Sequence, residues 1–108
     1  MSQGITVLGS TGSIGESTLD VLRHHPDRFH VVALSAHKNL ARLAEQCAQH
    51  QARYAVISDM DRAKELQAAL DKVNCTSKVI ASKDALSIAA GMDETDVVMA
   101  AIVGAAGL

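Results

Sequence analysis

Seven residues near the start of the chain, Gly9-Ser10-Thr11-Gly12-Ser13-Ile14-Gly15, set three glycines at even spacing with hydroxyl side chains between them. Phosphate oxygens are met most closely by backbone N–H groups, and a Cβ obstructs wherever the backbone must approach them. In this spacing Gly9 makes the tight turn, Gly12 lets the backbone come close, and Gly15 lets a following helix pack against a sheet. The unpaired N–H groups of that helix's first turn, with roughly half a unit of positive dipole charge, then face the anion. Ser10, Thr11 and Ser13 add hydroxyl donors in this reading. Such glycine spacing is informative only between a strand and a helix. That is its setting here, because the aliphatic run Ile5 to Leu8 stops at Gly9 and a helix-periodic stretch follows. The chemistry indicated is the grip on a dinucleotide pyrophosphate.

The end of the second strand decides between dinucleotides. Sites for NAD usually carry an Asp or Glu there, about 20 residues past the loop, for the ribose 2′-hydroxyl. Here the stretch is Ser35-Ala36-His37-Lys38-Asn39, with no carboxylate. Lys38 would attract a 2′-phosphate, and Ser35 and Asn39 can hydrogen-bond it, so NADPH is favoured over NADH. The plainer alternative leaves Lys38 a solvated surface charge and Asn39 the N-cap of the helix that starts at Leu40; Asn39 can do both. His24 and His25 are adjacent at a helix end and share no helical face for a metal, and no His/Cys/Asp cluster has ligand spacing. Cys47 and Cys75 lack CxxC spacing and read as ordinary packed or surface thiols. No Ser-His-Asp or Cys-His arrangement stands out, so no catalytic and no metal-binding residue is assigned within the chain.

The elements that must hold these loops alternate short apolar runs with helical periodicity, the signature of β-α-β units on a parallel sheet. Strands are expected at Ile5–Leu8, His30–Ser35, Tyr54–Ser58, Lys78–Ala81 and within Asp96–Gly104. The first helix is expected to bury Ile14, Thr18, Val21 and Leu22 and to end before Pro26. The second carries Leu40, Leu43, Ala44 and Cys47 on one face, and the third, opening near Asp59, carries Ala63, Leu66, Leu70 and Val73. Ser82 caps a short helix with Leu86 and Ala89, ended by Gly91. The long run Asp96–Gly104 reads as a strand buried on both faces, and the polar-ended fourth strand suits an edge. The fold class is therefore α/β, a Rossmann-like doubly wound parallel sheet of order 4-3-2-1-5. Its switch point between strands 1 and 5 is where open parallel sheets bind ligands. Gly104 to Leu108 reads as the turn after strand 5 and the start of a further helix, so residues 1–108 are expected to be an incomplete nucleotide-binding domain, truncated after strand 5.

Bulk properties narrow the partners. Hydrophobic residues make up 48% of the 108, enough for a core in one small domain. The formal charge of −2 is interspersed, with no basic block for nucleic acid. The apolar runs are too short to span a bilayer, and only Ser2 to Gly4 separate Met1 from the first strand, so a cytoplasmic protein is expected.

The stretches Ile5-Thr6-Val7-Leu8-Gly9-Ser10-Thr11-Gly12-Ser13-Ile14-Gly15 and Ser17-Thr18-Leu19-Asp20-Val21 closely resemble the start of the 1-deoxy-D-xylulose 5-phosphate reductoisomerase family. So do Val31-Val32-Ala33-Leu34, Lys38-Asn39, Arg53-Tyr54-Ala55-Val56 and Met99-Ala100-Ala101-Ile102-Val103-Gly104-Ala105-Ala106-Gly107-Leu108. The resemblance covers the chain in order; the glycine loop and the last ten residues are specific, the middle helices are not. It implies an oxidoreductase of isoprenoid biosynthesis by the methylerythritol phosphate route. Such an enzyme rearranges 1-deoxy-D-xylulose 5-phosphate and reduces the aldehyde intermediate with NADPH to 2-C-methyl-D-erythritol 4-phosphate. A divalent metal (Mg²⁺, Mn²⁺ or Co²⁺) assists, and the full-length protein is a homodimer. Cofactor contacts carry over onto Thr11, Gly12, Ser13, Ile14, Lys38 and Asn39; His37 stands at a more variable position, where an imidazole can stack on adenine or meet the 2′-phosphate. The family's metal carboxylates, substrate phosphate site and lid lie beyond Leu108, so the catalytic and C-terminal domains are absent and this piece alone is expected to be inactive. Two other readings stay open: the nucleotide half of another NADP-dependent dehydrogenase, and a non-enzymatic nucleotide- or coenzyme A-binding module.

Overall fold

Short β-branched and aliphatic runs, each followed by an amphipathic stretch, have one economical arrangement: a parallel sheet with a helix in every crossover. A computed structural model of the chain, describing residues 2–101, takes that form. Five parallel strands, β1 (Gln3–Leu8), β2 (Phe29–Ser35), β3 (Tyr54–Ile57), β4 (Lys78–Ala81) and β5 (Val97–Ala100), stand in the order β4-β3-β2-β1-β5. Helices α1 (Ser13–Arg23), α2 (Leu40–His50), α3 (Ala63–Lys72) and α4 (Ala85–Ala90) connect them, with a 3-10 turn at Met60–Arg62 before α3. The expected strand order, and every expected strand and helix within the described residues, is present.

The sheet is covered unequally on its two faces. On one, Leu19 and Leu22 of α1, Leu43 and Cys47 of α2, and Leu66 and Leu70 of α3 pack with Ile5, Val7, Val31, Leu34, Ala55 and Ile57. Leu43, Leu66 and Leu70 are fully buried, each contributing about 1.5–3 kcal/mol by removal from water. On the other face, among the described residues, α4 alone supplies Ala85 and Ala89 against Val32, Ala33 and Val56. Burial pushes the Cys47 thiol up to about 12, which keeps it protonated and unreactive. No helix among the described residues is long and apolar enough to cross a membrane.

Two expectations need correction. Helix α1 buries Gly15, Leu19 and Leu22, while Ile14 is 50% and Val21 58% exposed. Both sets, 14/18/21 and 15/19/22, have helical spacing. The packing of Gly15 onto the glycine loop selects the second and turns Ile14, Thr18 and Val21 outward. Strand β5 is not buried on both faces over Val97–Ala100, where Val98 and Met99 are exposed. It pairs with β1 and takes the sheet edge among the described residues. The rest of its apolar run, and the turn and helix expected at 104–108, lie outside the described residues.

Candidate functional site

The glycine loop leaves β1 with Gly9 in the left-handed region, φ 78°, a conformation that favours glycine. A Cβ on Gly15 would stand 2.5 Å from both the Gly9 carbonyl oxygen and the Ser10 Cα, so the fold itself demands that glycine. Gly12 is different. Its backbone is extended, and a Cβ there would meet nothing closer than the Gly9 oxygen at 3.8 Å. The protein does not need a glycine at 12; a ligand that must come close to the backbone would.

Gly12 is also the N-cap of α1, and among the described residues no side chain caps that helix. Its first-turn N–H groups therefore lack the usual internal acceptor. Glu16 in that turn would repel an anion, but its carboxylate is gripped by Arg42 of α2 through two bonds of 2.7 and 2.8 Å. The Arg42 hydrogen bond outweighs desolvation and holds the Glu16 carboxyl below its ordinary range.

The loop is anchored from beneath by groups the glycine motif does not announce. Ser10 is fully buried: its hydroxyl donates to Gln46 Oε1 at 2.6 Å, and Gln46 Nε2 donates to the Ser10 carbonyl at 2.8 Å. The Ser10 N–H donates to the Ser35 carbonyl at 2.8 Å, and Ser35 Oγ accepts from the Gly9 N–H at 2.9 Å. Ser10 is thus not a free phosphate donor and Ser35 is not a free 2′-phosphate ligand, contrary to expectation; both are turned inward. Gln46 stands three after Leu43, in phase with the buried face. A glutamine in that phase signals a buried partner.

At the end of β2, His37, Lys38 and Asn39 are exposed. Asn39 is the N-cap of α2, its Oδ1 accepting from the Arg42 N–H at 3.1 Å. A cleft of about 440 Å³ joins the two loops, lined by Thr11, Gly12, His37, Lys38 and Asn39 together with Ser58 and Leu86. Of the seven expected cofactor residues, five line this cleft; Ser13 and Ile14 sit beside it, exposed on the first turn of α1. Ser58 and Leu86 were missed, although Ser58 directly follows β3 at the carboxyl edge where such ligands bind. A comparable hollow of about 480 Å³ between α2 and α3, lined by Leu40, Glu45, Glu65, Lys72 and Val73, lies away from the glycine loop. Among the described residues no group of three or more His, Cys, Asp or Glu side chains is placed to hold a metal ion.

Residues 5–108 match the model of the family described as 1-deoxy-D-xylulose 5-phosphate reductoisomerase. The chain is 56% identical over 106 residues to the enzyme of that name from Cellvibrio japonicus, covering 98% of this chain and 27% of the relative. It is 49% identical to the one from Proteus mirabilis, over 96% of this chain and 26% of the relative. Among solved structures, the reductoisomerase from Zymomonas mobilis in complex with NADPH superposes with a TM-score of 0.84 at 41% identity, over 94% of this chain and 26% of that one. A second, in complex with NADPH, fosmidomycin and magnesium, gives 0.86 at 32% identity, over 98% of this chain and 26% of that one. The chain thus spans about a quarter of the length of these relatives. With the sheet order, the glycine loop and these likenesses in agreement, the chain belongs to the 1-deoxy-D-xylulose 5-phosphate reductoisomerase family.

Proposed function

We propose that residues 1–108 are the NADPH-binding part of an enzyme that rearranges 1-deoxy-D-xylulose 5-phosphate and reduces it to 2-C-methyl-D-erythritol 4-phosphate. The observation that carries the cofactor reading is the single cleft joining an uncapped helix N-terminus at Gly12 to a cation, Lys38, at a strand end without a carboxylate. When bound, NADPH supplies the hydride. The chain's own residues do the holding. Backbone N–H groups of Thr11, Ser13 and Ile14 face the pyrophosphate, and Gly12, whose own N–H donates to the Gly9 carbonyl, leaves room for it. Lys38 and Asn39 meet the 2′-phosphate, with His37 beside the adenine ribose.

Several steps are assigned to the portion of the relatives that this chain does not span: binding the phosphosugar, binding the divalent metal and closing over both. A homodimer working in the cytosol belongs to the same proposal, and neither feature rests on a contact described above. The chain alone should not oxidise NADPH when given 1-deoxy-D-xylulose 5-phosphate and Mg²⁺; turnover by it would refute this division of labour. Titration of the intact protein with NADPH, NADH and coenzyme A tests the cofactor reading. NADPH should bind most tightly. Preference for coenzyme A would favour a nucleotide-sensing module instead.

A further inference from the structure

We propose that Arg62 is a specificity-determining positioning residue, whose guanidinium clasps the carbonyls of His37 and Lys38 and holds the loop that meets the NADPH 2′-phosphate. This rests on the cofactor reading above and adds a residue that neither the glycine motif nor the strand-end rule points to.

The placement follows from the chain path. Strands β2 and β3 are neighbours, Ser35 pairing with Val56, so the turns that leave them lie side by side at the carboxyl edge. After β3 the chain makes a 3-10 turn, fixed by Asp59, whose Oδ1 accepts from the Asp61 N–H at 3.0 Å. Arg62 closes that turn, with its N–H on the Asp59 carbonyl at 3.2 Å. Its side chain, 31% exposed, reaches across to the β2 loop. One terminal nitrogen donates to the His37 carbonyl and the other to the Lys38 carbonyl, each at 3.3 Å. Glu65 fixes the guanidinium, accepting from Nε at 3.2 Å and from a terminal nitrogen at 2.7 Å.

An ordinary i,i+3 surface pair would need only Glu65. Here the remaining donors go to two consecutive carbonyls 25 and 24 positions away in sequence. Fixing those carbonyls fixes the backbone on either side of Lys38, whose own side chain is exposed and forms none of the described hydrogen bonds. A flexible ammonium loses less freedom on meeting a phosphate if its backbone is already set. A planar fork suits two adjacent acceptors, which a lysine cannot span.

The test measures NADPH and NADH dissociation constants in the intact protein for wild type, Arg62→Ala, Arg62→Lys, Lys38→Ala and the Arg62→Ala/Lys38→Ala double variant. Arg62→Ala should weaken NADPH by about 3- to 10-fold and NADH by less than about twofold. Arg62→Lys should not restore NADPH binding, and the double variant should lose less than the product of the two single losses. Glu65→Gln, which loosens the tether and leaves Arg62 in place, should show a smaller loss of the same sign, and it serves if Arg62→Ala does not fold. Full rescue by lysine would mean that charge alone matters, and equal losses for both cofactors would mean general destabilisation; either overturns the proposal. If Lys38→Ala weakens NADPH but Arg62→Ala and Glu65→Gln do not, this inference fails and the cofactor reading stands. If neither Lys38→Ala nor Arg62→Ala matters, the cofactor reading itself fails.

Discussion

The two loops that frame the cleft are built on opposite plans. The glycine loop is pinned from below: Ser10 is fully buried, and Ser10, Gln46 and Ser35 form a closed set of hydrogen bonds under it. The loop at His37 to Asn39 is exposed and is held by its carbonyls and by the cap at Asn39. The first loop offers backbone to a group every dinucleotide carries, so rigidity is an advantage. On the proposed cofactor reading the second would present side chains to the one phosphate that separates NADPH from NADH, and exposed side chains can differ without disturbing the core.

The comparison is broken most severely at Gly15. A side chain there collides with the Gly9 and Ser10 backbone at 2.5 to 2.6 Å, so Gly15→Val should cost more than about 3 kcal/mol, seen as a lowered denaturant midpoint. Gly12→Val, three residues away, should cost only about 1 kcal/mol, the loss of a favoured N-cap residue, because its surroundings are open. It should instead largely abolish NADPH binding. A Gly12→Val protein that is folded and binds NADPH normally would remove the pyrophosphate from this loop.

That division between the glycines was only half legible in the sequence. The spacing 9, 12, 15 announced a phosphate loop, the alternation of runs announced a parallel sheet, and the polar ends of the fourth strand put it at an edge. Which apolar stripe of α1 faces inward was legible only through Gly15: a glycine that lets the helix pack against the sheet selects 15/19/22, and periodicity alone is blind to that choice. Gln46 and Arg62 were missed for a related reason: each acts through a partner 24 or more residues away, across a crossover. The places of Lys38 and Asn39 in the cleft were legible because the strand-end rule is local. Their neighbour Ser35 was misjudged because strand alternation does not say that Gly9 lies within reach of its hydroxyl.

Gln46→Leu tests whether the rigid loop depends on its underpinning. The change strands the buried carbonyl of Ser10, at a cost of about 1–3 kcal/mol, and leaves its hydroxyl only the Ser35 carbonyl at 3.3 Å. Thermal unfolding should shift accordingly. NADPH and NADH should weaken together, since both present the same pyrophosphate. A selective loss of NADPH would mean that Gln46 acts on the outer loop through α2 instead.

The outer loop is probed by Lys38→Ala. A charge-assisted hydrogen bond is worth about 1.5–3 kcal/mol, or roughly 10- to 150-fold in affinity. Exposure and salt screening place the expected NADPH loss at the low end. NADH should hardly change, and stability should not. Titration of both cofactors at one ionic strength reads the difference; equal losses would dissociate Lys38 from the 2′-phosphate.

The smallest effect expected is at the contact that joins the two regions. Glu16 lies in the helix launched by the glycine loop, and Arg42 in the helix launched by the outer loop, where its N–H also holds Asn39. Their side chains are 36% and 33% exposed, so solvent screening limits the pair to at most about 1 kcal/mol. Arg42 keeps the Glu16 carboxyl below its ordinary value of 4.5 in the folded protein, so the unfolded chain takes up that proton more readily. The contribution is therefore fully present above pH 4.5 and is lost as pH falls below it. The stability difference between wild type and Glu16→Gln should be flat above that value and shrink beneath it, read from denaturant midpoints across pH. His50 titrates in another window: burial, then Arg23 and Arg42, lower it from its ordinary 6.5. Glu16 also opposes the lowering of His50, so a difference curve that steps near 6.5 and does not change below 4.5 would assign the effect to Glu16 acting on His50, with the Glu16–Arg42 pair contributing nothing measurable.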